Sequence, residues 1–150
     1  MGNLLKPKYL IIHHSASSNT TTIEDIRKWH INNNKWTDIA YHKIIYQDGS
    51  INQGRNDAVQ GAHAFGANAV SLGICLIGNF ETNELPEVMK KTLIQTLATL
   101  CKRYNIPAKN IIGHYQVSKM FNAPAGASGC PGKNVIKLFP EIKKEVEKYL

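Results

Sequence analysis

The chain has 150 residues, 43% hydrophobic and 19% charged, with 18 Lys and Arg against 11 Asp and Glu for a net charge of +7. That length predicts one domain over residues 1–150 with a core able to form without disulfide or metal staples, and the composition excludes a disordered chain. The charge favours an anionic partner but does not choose among nucleic acid, a lipid surface and a cell wall.

Lys6, Pro7 and Lys8 interrupt any apolar stretch of signal-peptide length, so synthesis in the cytoplasm without a secretion signal is expected. No run is long enough to span a membrane, and no stable membrane association is expected. Tyr9 to Ile12 is a short β-branched apolar run ending in His13 and His14, and reads as a buried strand. "TTTIEDIRKWHINNN" follows as a first helix, with Thr22 as N-cap, Glu24 and Asp25 in the first turn, and Ile26, Trp29 and His30 on one face. "AYHKIIYQDGSINQG" places two extended runs around Asp48-Gly49, a dipeptide suited to the positive φ of a tight hairpin, with Tyr41, Lys43 and Ile45 sharing a strand face.

"VSLGICLIGNF" has the continuous apolar character of a central strand covered on both sides. "LPEVMKKTLIQTLATLCKRYNIP" carries Val88, Leu93, Leu97, Leu100 and Tyr104 at helical intervals, with Asn105 and Pro107 past its end. "NIIGH" reads as a short strand delivering His114 at its tip, followed by a stretch too poor in periodicity for helix or strand. The C-terminal lysines interleave with Glu141, Glu145 and Glu147 as a solvated helix face. Strands and helices alternating around one sheet predict α/β, and the hairpin makes that sheet mixed.

Cys75, Cys101 and Cys130 form no disulfide framework; Cys75 and Cys101 sit inside apolar patterns as core thiols. Cys130 returns after the loop that follows His114, and His13 or His14 ends another strand. Two imidazoles and a thiolate suit zinc and leave a fourth position for water. The spacing matches no short metal motif, and the same residues also read as a surface histidine, a core histidine and a free loop thiol.

A resemblance extends over about residues 9 to 140. The blocks "IIHHSAS", "IRKWHINNNKWTDIAYHKIIYQDGSINQGR", "GAHAFGANAVSLGICLIGNF", "GH" and "GCPGKN", in this order, resemble the zinc-dependent N-acetylmuramoyl-L-alanine amidases, the group that includes phage lysozyme-type amidases and peptidoglycan recognition proteins. The resemblance implies a central mixed sheet flanked by helices, zinc in a surface groove, and hydrolysis of the amide joining N-acetylmuramic acid to the L-alanine of the stem peptide. It places the zinc ligands at His13, His114 and Cys130, with His14 pointing to the other side of its strand.

The family's catalytic tyrosine falls on Tyr41. Ser128 falls where many relatives carry lysine, and is expected to offer a hydroxyl to the oxyanion. The strand in which some relatives carry a glutamate reads Gly73, Ile74, Cys75. His63 is expected to contact substrate, His30 to pack in the helix, and His42 to face away from Tyr41 and orient a ligand. The expected partners are peptidoglycan or muropeptides, with the protein a monomer. No helix-turn-helix, zinc-finger spacing or basic-aromatic interleaving supports nucleic acid. A phage or prophage endolysin released through a holin is the expected setting, with recycling of wall fragments as the alternative. A module that binds peptidoglycan without cutting it is disfavoured by retention of all three ligands.

Overall fold

A computed structural model of the chain describes residues 6–33, 39–123 and 129–150. Its strands are β1 (Tyr9–His14), β2 (Lys43–Ile45), β3 (Ile51–Gln53), β4 (Ser71–Leu76) and β5 (Ile111–Gly113). Its helices are α1 (Ile23–Lys28), α2 (Glu87–Tyr104), α3 (Val117–Met120), α4 (Lys133–Ile136) and α5 (Phe139–Glu147). The strands form one sheet in the order β3-β2-β4-β1-β5. β1 runs parallel to β4 and β5, β2 runs parallel to β4, and β2 and β3 pair antiparallel, so the mixed α/β sheet is as expected. Both histidines extend β1, with His13 opposite Cys75 and His14 opposite Leu76.

Alternation along the central strands sorts their side chains onto two faces. Leu10, Ile12, Leu72, Ile74 and Leu76 belong to the larger core, together with Met89, Leu93 and Leu97 of α2 and Ile142 and Val146 of α5. Val88, expected in the α2 stripe, is 47% exposed, and Met89 takes its place. Stepping back four residues from Leu93 nearly completes a helical turn, whereas the five-residue step to Val88 rotates about 140° off it. The other face carries Ile11 and Ile112 with Ala64, Ala67 and Val117, and separately Ile44 and Cys75 with Ile26, Ile39 and Ile77.

Thr22 caps α1 as expected: its hydroxyl accepts from the Asp25 amide at 3.2 Å while the Asp25 carboxylate accepts from the Thr22 amide at 3.0 Å. After Lys28 the winding widens into a single turn over Trp29–Asn33. Ile26 and His30 stay buried, but that change of winding leaves Trp29 42% exposed. In the hairpin Gly49 alone takes positive φ, at 86°, and the Asp48 carboxylate instead accepts from the amide and hydroxyl of Ser50. The segment after β5, expected to be irregular throughout, forms single turns over His114–Gln116 and Val117–Met120.

Candidate metal centre

Three chain segments meet at the C-terminal ends of β1, β4 and β5. Alternation along β1 puts His13 on the same face as Ile11 and sends His14 to the other. Beyond β5, Gln116 Oε1 accepts from the Gly113 amide at 3.0 Å and fixes the turn that carries His114. A Cβ on Gly113 would lie 2.7 Å from the Tyr115 ring and 3.0 Å from Pro131, so the returning chain lies directly against this strand tip. The Tyr115 amide donates to the Cys130 carbonyl at 2.9 Å. On the far side, Lys133 and Asn134 amides donate to Glu81 Oε2 at 2.7 Å and the Phe80 carbonyl at 3.0 Å.

His13, His114 and Cys130 each offer a ligand atom, and these atoms lie within 4.8 Å of one another. His13 Nδ1 is 3.9 Å from Cys130 Sγ, and the His13 and His114 ring centroids are 4.5 Å apart. The backbone N–H of His14 donates to the same sulfur at 3.4 Å. Two nitrogens and a sulfur around tetrahedral zinc sit about 3.5 Å apart, close to the His13–Cys130 separation, and two imidazoles with a thiolate are a donor set whose chemistry fits that metal.

Burial holds His13 well below 6.5, and the neighbouring His63 and His114 act in the same direction. Burial also lowers His114. Both imidazoles therefore stay neutral, the form that ligates. Burial pushes the Cys130 thiol up to about 11, opposed by the His14 amide. A cation in the cluster would reverse that, since a coordinating thiol loses its proton.

Tyr41 stands beside the cluster, its ring centroid 5.0 Å from that of His13. It shares a side with Ile44 and Cys75 rather than with Lys43 and Ile45, because strand pairing begins only at Lys43 and the alternation does not extend back to it. Burial, then the Cys75 and Cys130 sulfurs, raise the phenol well above 10. Tyr41 is thus a protonated donor across the neutral range.

His63 corrects the sequence expectation. It is 6% exposed, with Nδ1 2.8 Å from His13 Nε2 and Nε2 3.2 Å from Ser71 Oγ, so both ring nitrogens are engaged inside the protein behind His13. His42 is corrected too: its Nδ1 accepts from the Gly73 amide at 3.0 Å and its Nε2 donates to the Val59 carbonyl at 2.7 Å. Both nitrogens hold backbone, not a ligand. His14 faces away as expected, its Nδ1 accepting from the Phe80 amide at 3.1 Å, and His30 packs as expected with Nδ1 accepting from the Ala40 amide at 2.9 Å. Cys75 and Cys101 are both buried. Ser128 lies outside the described residues.

Sequence reasoning overlooked Ser71 and the contact between Tyr41 and Cys75. Gly73 did carry a signal, since a glycine inside a central strand marks a close approach, here by the His63 ring.

The chain belongs to the N-acetylmuramoyl-L-alanine amidase family, which its residues 3–133 match. It is similar to the endolysin of Escherichia phage T7, 36% identical over an alignment of 103 positions that covers 63% of this chain and 67% of the endolysin. Among solved structures, the N-acetylmuramoyl-L-alanine amidase LysC from Clostridium intestinale superposes with a TM-score of 0.83 at 30% identity, over 95% of this chain and 87% of LysC. A mutant of Drosophila PGRP-LB in complex with tracheal cytotoxin gives 0.76 at 32% identity, over 94% and 83%.

Proposed function

We propose that this chain is a zinc-dependent peptidoglycan hydrolase that cleaves the amide between N-acetylmuramic acid and the L-alanine of the stem peptide. The observation that carries the reading is the convergence of His13, His114 and Cys130 in a member of this family. When bound there, zinc supplies Lewis-acid activation of water and of the amide carbonyl near neutral pH.

The chain's own residues supply the rest. His13 and His114, kept neutral by burial, and Cys130, held by the His14 amide, fix the centre between three strand tips. Tyr41, whose ring packs beside His13 and whose phenol stays protonated, would donate a hydrogen bond where negative charge develops on the carbonyl oxygen. Ser128, two residues before Cys130, would bring a second neutral donor. The resemblance to an endolysin and to a cytotoxin-binding recognition protein supports muropeptides as substrate, and the net charge of +7 favours approach to an anionic wall. In this reading the protein is a phage or prophage lysis enzyme, acting on the wall after holin-mediated release.

Digestion of purified peptidoglycan distinguishes cutting from binding. New amino-terminal alanine and free stem peptides should appear with the protein and fail to appear after chelation. Retention on the wall without release of either would instead establish a recognition module.

A further inference from the structure

The protons of three buried side chains, running from behind the metal cluster into it, can be assigned from one carbonyl. Ser71 Oγ is 2.7 Å from the Ala67 carbonyl, which can only accept, so the hydroxyl proton points there. The hydroxyl oxygen therefore accepts from His63 Nε2, 3.2 Å away. In a setting this dry His63 is neutral and carries a single N–H, so its Nδ1 is bare. Across 2.8 Å from that atom, His13 Nε2 must be the donor. His13, 1% exposed, is neutral as well, which leaves Nδ1 as a lone pair. It is this atom that lies 3.9 Å from Cys130 Sγ.

The surroundings are shaped to hold His63 in this pose. A Cβ on Gly73 would lie 2.6 Å from His63 Cγ and 2.8 Å from Nδ1, and one on Gly61 would lie 2.8 Å from His63 Cδ2. The ring thus occupies a slot that two glycines leave open, one of them in the middle of β4, where glycine weakens a strand unless something approaches closely. The backbone of the same segment is fixed by Asn68, whose Oδ1 accepts from the His63 and Ala64 amides, both at 2.9 Å.

We infer that His63 is a positioning residue: held by Ser71 and by the slot over Gly73 and Gly61, it fixes His13 as the Nε2–H tautomer and so presents Nδ1 to the metal. The inference rests on the zinc reading for its consequence, but the tautomers themselves belong to the metal-free protein too. Ligating histidines commonly depend on such a partner for ring orientation, with losses of about 10- to 100-fold in metal affinity when it is removed.

The test is long-range proton–nitrogen NMR on protein labelled with 15N in histidine, metal-free and with added zinc. His13 and His63 should both show a protonated Nε2 and a bare Nδ1, and zinc should shift His13 Nδ1 while Nε2 keeps its proton. A protonated Nδ1 on His63, or coordination of His13 through Nε2, would overturn the inference. Zinc affinity, measured by competition with a chromophoric chelator, should fall about 10- to 100-fold in His63→Phe, which fills the slot without an acceptor. It should recover partly in His63→Gln, whose amide oxygen can accept from His13. Equal affinity in the Phe variant would also overturn it. If the wild-type protein binds no zinc, the zinc reading fails, and the tautomers of the metal-free protein still decide the role of His63.

Discussion

The sulfur of Cys130 lies 3.4 Å from the backbone nitrogen of His14, across 116 residues of chain. The amide and the thiol share one hydrogen bond, so the loop bearing Cys130 is docked onto the end of the strand that bears His13. Any change that lifts the loop should therefore be read out in metal binding before it is read out in the fold.

Gly132 is the place to apply that change. It sits at φ 99°, and a Cβ there would lie 2.5 Å from the Phe80 carbonyl carbon. Gly132→Ala should destabilise the protein by about 1–3 kcal/mol through backbone strain and collision. Its zinc content should drop as Cys130 is displaced. Thermal unfolding and metal analysis on the same sample check both; an alanine variant matching wild type in each would mean the loop is not seated as described.

Tyr41→Phe removes only the hydroxyl beside His13. Turnover on a muropeptide should fall on the order of 10²- to 10³-fold while zinc content is kept. Wild-type turnover in the Phe variant would make Tyr41 a packing residue.

Much of this arrangement was legible in the residues. The buried strands announce themselves as β-branched apolar runs, the Thr22 cap by its spacing to Asp25, and the convergence of His13, His114 and Cys130 by the resemblance carried in "IIHHSAS", "GH" and "GCPGKN". What was not legible depends on contacts across the sheet. His63 lies over Gly73 of β4, ten positions away, and nothing local to "GAHAFG" reveals that its ring lies behind His13 instead of in the groove. Tyr41 was given the wrong face because alternation was extended two residues before pairing starts. Val88 and Met89 exchanged roles because a helical stripe read from mixed intervals tolerates a one-residue slip.

Acid should destabilise the metal-free protein in a predictable window. Burial, with Arg55 adding to it, lowers His30 from 6.5 to about 4, and His13 and His63 shift in the same direction. Between those values the unfolded chain binds protons that the folded chain does not, so stability is full above about 6.5 and is lost as pH falls toward 4. Denaturant unfolding at a series of pH values should show this slope. His30→Gln, which retains an acceptor for the Ala40 amide, should flatten it; an unchanged slope would remove His30 from the account.

The net charge of +7 should matter most on an anionic, extended substrate. Added salt should slow digestion of intact walls more than cleavage of a small soluble muropeptide, because screening acts on long-range attraction. Equal slowing on both would mean the charge plays no part in reaching the wall.

The central claim, that zinc held by His13, His114 and Cys130 makes this chain an amidase, is tested most directly by titrating zinc into metal-free protein while following cleavage of a soluble muropeptide. Activity should rise in proportion to bound zinc, level off at about one ion per chain, as three ligands with one open position require, and stay absent in Cys130→Ala. Protein holding one zinc at these residues that leaves the amide intact, or metal-free protein that cleaves it at full rate, would contradict the account.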